Sequence, residues 1–133
     1  MRILAIDDDL FILDIVRLML SGQHEIISVP SAIEGLNKLR KLGAPIDLIL
    51  LDWMMPGIDG LSLLISLKSD PILSDIPVVF LSGKTDSRDI RSALDAGAAG
   101  YITKPFRKAE LVCRIDAIGP SPYLEDAPPP QEL

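Results

Sequence analysis

The chain has 133 residues, 48% of them apolar, and 13 basic against 19 acidic side chains give a formal net charge of −6. That length holds one ordinary domain, and that apolar content excludes general disorder. The acidic balance argues against direct binding to a nucleic-acid backbone, no stretch reaches the ~20 apolar residues of a membrane helix, and the single Cys113 cannot close an internal disulfide, which favours a reducing compartment.

Residues 3–6 form a short apolar run that Asp7-Asp8-Asp9 ends. The same three acids interrupt any secretory segment, so the expected location is the cytoplasm. Residues 10–21 have helical spacing, with Leu13, Val16 and Leu20 on one apolar face. Residues 25–29 read as a second strand. Ser31 and Glu34 are spaced as a capping box. The helix they open carries Ala32, Leu36 and Leu39 on one side and is expected to end near Gly43. Residues 46–51 form a third apolar strand, followed by Asp52.

Met55-Pro56-Gly57 marks a loop, residues 59–69 a helix, and Pro71 closes it. Residues 76–81 read as a fourth strand, with Pro77 near its start, where a missing N–H is tolerated. Residues 86–96 form a helix with Gly97 as its stop, residues 100–103 a fifth strand, and residues 106–118 the last helix. Residues 119–133 hold five of the eleven prolines, three acids and no base, which cannot build a core. The expected division is therefore a folded domain over 1–118 and a Pro-rich acidic tail or linker over 119–133.

Five strands alternating with five helices predict an α/β fold with a parallel sheet covered on both faces. In doubly wound sheets, ligands bind outside the carboxyl ends of the strands, where the strand order reverses. The chain places Asp7 and Asp8 after strand one, Asp52 after strand three, Ser82 after strand four and Lys104 after strand five. If strands one and three flank the reversal, the three acids converge. Converging carboxylates repel one another, and a hard divalent cation such as Mg²⁺ relieves that repulsion. Three acids, a hydroxyl and an ammonium make a site for an anion beside a metal. A phosphoryl group fits, with an Asp as its covalent acceptor.

Four segments carry a resemblance. Ile6-Asp7-Asp8-Asp9, Leu51-Asp52-Trp53-Met54-Met55-Pro56-Gly57-Ile58-Asp59-Gly60, Leu81-Ser82-Gly83 and Gly97-Ala98-Ala99-Gly100-Tyr101-Ile102-Thr103-Lys104-Pro105-Phe106 closely resemble the response-regulator receiver domain of two-component signalling. The resemblance runs over residues 2–118 in order. It implies a flavodoxin-like sheet of order 2-1-3-4-5 and a phosphoacceptor at Asp52, supplied by a sensor histidine kinase or phosphotransfer protein. It implies Mg²⁺ held by Asp8, Asp52 and the backbone carbonyl of Met54, with Asp7 bound through water. Lys104 would pair with Asp52 and then with the phosphoryl oxygens, Ser82 would bond the phosphoryl group, and Tyr101 would be the switch. A cis Lys104–Pro105 bond is implied as well. Such a domain promotes its own phosphorylation and dephosphorylation and has no external metabolite to turn over.

Plainer readings stand beside these. The triple Asp serves equally as a solvated helix start with Asp9 as cap. Asp52 can be a polar strand end, Tyr101 a packed edge aromatic, His24 a loop residue and Cys113 an inert helix residue. Gly83-Lys84-Thr85 looks like the end of a phosphate-binding loop, but Val78 stands where that motif needs glycine. An Asp-x-Asp pair also occurs in haloacid-dehalogenase-type phosphatases, which would put the phosphate on Asp7. That family wants Thr or Val where Leu10 stands. A fold that has lost its chemistry is the third reading. The mixed charges over residues 84–118, seven bases and five acids, suit self-pairing across a two-fold axis into a homodimer. The tail would then lead to a downstream output domain.

Overall fold

A computed structural model describes residues 1–41 and 45–118 of the chain. The expected helix end near Gly43 and the 119–133 tail lie outside the described residues. The order of elements is β1 (Arg2–Ile6), α1 (Leu10–Leu20), β2 (Glu25–Val29), α2 (Ala32–Lys41), β3 (Leu48–Leu51), α3 (Gly60–Ser69), β4 (Val78–Ser82), α4 (Ser87–Asp95), β5 (Gly100–Thr103) and α5 (Lys108–Ile118). The strands form one parallel sheet in the order β2-β1-β3-β4-β5. Both the α/β class and the strand order agree with expectation.

Alternation along the strands divides the core in two. Ile3, Ala5, Leu48, Leu50, Val79, Leu81 and Ile102 face α1 and α5, where Leu13, Val16, Leu20, Leu111 and Ile115 cover them. Leu4, Ile6, Ile49, Leu51, Val78 and Phe80 face the other way, against Leu63, Leu64 and Leu67 of α3, Ala32 of α2 and Ala93 of α4. Each strand needs apolar residues on both sides because each side has its own helical layer.

Element ends differ from the sequence pattern for local reasons. Strand β3 starts two residues later than the apolar run suggests. The Asp47 side chain accepts the Arg2 N–H over 2.7 Å, so a carboxylate replaces the next rung of the ladder. Helix α1 is capped by Asp9, which accepts from the Phe11 and Ile12 N–H groups. Asp59 and Asp86 cap α3 and α4 in the same way, so both residues flank their helices. Gly97 adopts φ +110, the left-handed conformation that ends α4. Helix α5 begins at Lys108 rather than Phe106. Phe106 instead packs against the α1/α5 side of the core. The capping box is only half formed: Ser31 Oγ accepts the Glu34 N–H, while the Glu34 carboxylate takes the Ser31 hydroxyl, not its backbone N–H.

Candidate functional site

Register places the acids. Strand β1 runs beside β3 with Ile6 opposite Leu51, so the next residues, Asp7 and Asp52, leave the sheet side by side. The Asp52 N–H donates to the Ile6 carbonyl over 2.9 Å, which extends the pairing one step past the strands. Chain connections leave β1 toward β2 on one side and run from β3 toward β4 on the other. This is the reversal point at which a doubly wound sheet opens a crevice. One carboxylate oxygen from each of Asp7, Asp8 and Asp52 lies within 4.8 Å of the others. Asp7 and Asp52 are buried, and Asp8 is exposed.

Lys104 reaches in from the end of β5. Its Nζ is 2.8 Å from Asp7 Oδ2 and 3.5 Å from Asp52 Oδ1. The shorter contact is thus with Asp7, not with Asp52, whose other neighbours are acids. Asp7 Oδ1 also accepts the Asp9 N–H over 2.9 Å, so both oxygens of Asp7 are engaged. The Lys104–Pro105 bond is cis.

Electrostatics follow from this geometry. Burial pushes the Asp52 carboxyl up to about 6, and the charges of Asp7 and Asp8 add to the rise while Lys104 opposes it. Burial penalises the Lys104 ammonium, but its hydrogen bond to Asp7 and the charges of Asp52 and Asp7 outweigh that and raise its pKa. The site carries more negative than positive charge, so a hard cation fits its donor set. Asp7, Asp8 and Asp52 each offer it a carboxylate oxygen.

Ser82 ends β4 and is fully buried. Its Oγ accepts the Lys84 N–H over 3.2 Å. Tyr101 lies on β5 beside Phe80 of β4, with its ring turned inward and its hydroxyl donating to the Lys84 carbonyl over 2.9 Å. Trp53 follows Asp52, so its ring is expected at the open mouth of the acids. It is instead buried, with ring centroids 5.4 Å from Phe80 and 6.5 Å from Tyr101. Met54, the next residue, has 63% of its surface exposed. It lines an open groove of about 470 Å³ with Trp53, Met55, Pro56, Asp59 and Lys84.

Two residues make contacts that their sequence positions did not announce. One is Lys84, two residues past Ser82, whose ammonium lies 5.1 Å from the Trp53 ring centroid. The other is Gly60. Its N–H donates to the Trp53 carbonyl over 2.8 Å, and a Cβ there would collide with the Asp52 carbonyl oxygen and come within 2.8 Å of Trp53 Cα. Both obstacles are backbone and cannot swing aside. Gly60→Ala is expected to lower stability by roughly 1–3 kcal/mol, the range for overpacking. A urea unfolding curve of the variant measures this, and an unchanged midpoint would show that α3 slides away freely.

The family model described as the response regulator receiver domain matches residues 3–116. The chain belongs to the response-regulator receiver family. The DNA-binding response regulator MtrA of Mycolicibacterium paratuberculosis is 37% identical to the receiver over 117 residues, which cover 87% of this chain and 50% of MtrA. The phosphate regulon transcriptional regulatory protein PhoB of Escherichia coli is 39% identical over 121 residues, covering 88% of this chain and 51% of PhoB. The receiver thus spans about half the length of these curated relatives. Among solved structures, the receiver domain of Francisella response regulator 1452 superposes with a TM-score of 0.80 at 29% identity, covering 88% of this chain and 94% of that one. The Vibrio cholerae chemotaxis protein CheY4 shares the fold, with a TM-score of 0.81 at 24% identity over 88% of this chain and 97% of its own. Among the described residues of the receiver, no helix is long and apolar enough to cross a membrane.

Proposed function

We propose that Asp52 of this receiver accepts a phosphoryl group from the phosphohistidine of a sensor kinase or phosphotransfer protein. The supporting observation is the convergence of Asp7, Asp8 and Asp52 within 4.8 Å, with Lys104 spanning Asp7 and Asp52. An Asp52 carboxylate oxygen attacks phosphorus, the phosphorus–nitrogen bond breaks, and the imidazole nitrogen keeps the bonding pair. Asp8, Asp52 and the Met54 carbonyl would hold Mg²⁺, with Asp7 beside them. The cation would supply charge neutralisation for the phosphoryl oxygens. Lys104 holds Asp7 at rest and is placed to follow a phosphoryl oxygen on Asp52. Ser82 donates its hydroxyl to the phosphoryl group, and Tyr101 reports the change to the α4–β5–α5 face.

The test is incubation with Mg²⁺ and acetyl phosphate, followed by intact mass and peptide mapping. One added phosphoryl mass on Asp52 is expected. Phosphate on Asp7 would favour the dehalogenase-type phosphatase, and no incorporation would favour the fold without chemistry. Lys104 engages Asp7 at 2.8 Å, which leaves Asp7 a poorer nucleophile than Asp52.

The remaining roles belong to the same reading. The receiver acts in the cytoplasm, promotes its own phosphorylation and dephosphorylation, and binds no nucleic acid directly. Residues 1–118 are the switch, and 119–133 are a Pro-rich acidic tail or linker. Self-pairing through the 84–118 face is expected to follow phosphorylation, and light scattering with and without a phosphoryl mimic decides it.

By the family pattern, Met54 and Lys84, two residues past Asp52 and Ser82, border the path of the hydrolytic water. The Met54 thioether cannot orient that water by a strong hydrogen bond. Slow self-dephosphorylation is expected. Met54→Asn should speed the decay of phosphorylated protein in Mg²⁺ several-fold, and a variant that decays no faster removes the argument.

A further inference from the structure

Contacts of four kinds meet at Lys84. Its N–H donates to Ser82 Oγ over 3.2 Å, and its carbonyl accepts the Tyr101 hydroxyl over 2.9 Å. Its ammonium lies 5.1 Å from the Trp53 ring centroid and 3.5 Å from Asp89 Oδ2 on α4. The backbone contacts reach both groups of the proposed switch. The side-chain contacts reach the residue after Asp52 and the first turn of α4. The Ser82 carbonyl accepts the Lys104 N–H over 2.9 Å, and a Cβ added at Gly83, between Ser82 and Lys84, would meet nothing within 4 Å.

We propose that Lys84 is a positioning residue of the phosphorylation switch: its ammonium, clamped between the Trp53 ring and Asp89, holds in place the backbone that carries Ser82 and receives Tyr101. The inference rests on the assignment of Asp52 as phosphoacceptor. A cation over an indole face is attracted by the ring quadrupole, more strongly where water is partly excluded. The Lys84 side chain is 32% exposed, so it is partly shielded. With the clamp closed, the Lys84 carbonyl already holds the Tyr101 hydroxyl inward. A phosphoryl group then meets a loop in one arrangement. With the clamp open, the loop samples several, and apparent affinity falls by the fraction that remains competent.

The test uses beryllofluoride with Mg²⁺ as the phosphoryl mimic, read by Trp53 emission and by equilibrium binding. Three variants of the whole chain separate the causes: Lys84→Met, Lys84→Arg and Asp89→Asn. Lys84→Met is expected to weaken the mimic roughly three- to tenfold, the weight of one partly desolvated cation–π contact. It should also shift Trp53 emission in the metal-free protein. Lys84→Arg should restore both readouts. Asp89→Asn is decisive on sign. It frees the ammonium but removes a negative charge, so a clamp predicts weaker mimic binding, whereas simple charge attraction by Lys84 predicts tighter binding. Mg²⁺ affinity without mimic should stay within about twofold of wild type in all three, because none of the contacts involves the acids.

Unchanged mimic affinity in Lys84→Met, tighter binding in Asp89→Asn, or a parallel loss of Mg²⁺ affinity would each overturn the clamp. A wild-type chain that gives no response to beryllofluoride would overturn the phosphoacceptor reading itself. A wild-type response with unaltered variants would overturn the clamp alone.

Discussion

Replacing Asp52 with asparagine is expected to abolish phosphoryl incorporation from acetyl phosphate and, at neutral pH, to stabilise the metal-free fold. The first effect is chemical: a neutral amide is a far poorer nucleophile than a carboxylate. The second comes from the surroundings. Burial first, then the charge of Asp7, lifts the Asp52 carboxyl from 3.8 to about 6. A carboxyl raised in the folded state favours folding when protonated. That advantage is full below pH 3.8 and is lost as pH rises through about 6, so above that range the ionised Asp52 opposes the fold.

Two pKa units set a ceiling of about 3 kcal/mol, and solvent at the cleft reduces it to roughly 1–2 kcal/mol. Thermal melts in chelator at pH 7.5 should therefore place Asp52→Asn about 3–8 °C above wild type. The gap should close near pH 4. A variant that melts below wild type at pH 7.5 would mean that the 3.5 Å contact with Lys104 outweighs the repulsion of Asp7 and Asp8. Added Mg²⁺ should stabilise wild type more than the variant, since the variant lacks one ligand charge.

Phe80→Ala should have the largest effect on stability. The side chain is fully buried on the α3/α4 side of the sheet, with ring centroids 5.4 Å from Trp53 and 5.7 Å from Tyr101. Truncation removes the largest fully buried side chain of the core and leaves a cavity beneath both other rings. A loss of about 3–5 kcal/mol is expected, the range for buried Phe→Ala. Phe80→Leu keeps most of the volume and should cost about 1.5 kcal/mol or less. Urea unfolding followed at Trp53 measures both. In the alanine variant the native emission should also move to the red, because the indole gains water. A loss near 1 kcal/mol for Phe80→Ala would mean that Trp53 and Tyr101 collapse into the space, so that the ring is not needed to seat them.

The two substitutions probe different parts of one arrangement. Asp52 belongs to the charged crevice, whose chemistry depends on groups that repel. Phe80 belongs to the apolar floor that keeps Trp53 and Tyr101 in place. The fold bears an unfavourable carboxylate cluster because the layer beneath it is fully packed, a division of labour common at functional sites.

Much of this was legible in the residue order. Continuously apolar runs marked β3 and β4, because a sheet covered on both faces needs apolar central strands, and short strand-like runs between helical patterns marked the other three. Acids, a hydroxyl and a lysine at strand ends marked the crevice, because polar groups with no ladder partner collect where strands stop. Asp9 was readable as a cap from its place before Leu10. Boundaries were less legible. The start of β3 depends on the Asp47 side chain meeting Arg2, 45 residues away in sequence.

Only the tertiary structure decided who pairs with whom. Lys104 and Asp7 are 97 residues apart, and nothing in local spacing says that the ammonium sits closer to Asp7 than to Asp52. The sequence placed Trp53 beside the acceptor but could not say that its ring turns into the sheet, because that depends on Phe80 and Tyr101 arriving from two other strands. Lys84 was legible only by its place two residues past Ser82, since a lone lysine in a loop is ordinarily solvated. Its role depends on an indole face, a carboxylate on α4 and a tyrosine on β5 meeting at one loop. Residue order determined the chemistry available at the crevice, because that depends on which groups end the strands. Packing decided how those groups are held, because it is set by contacts between strands that local sequence cannot encode.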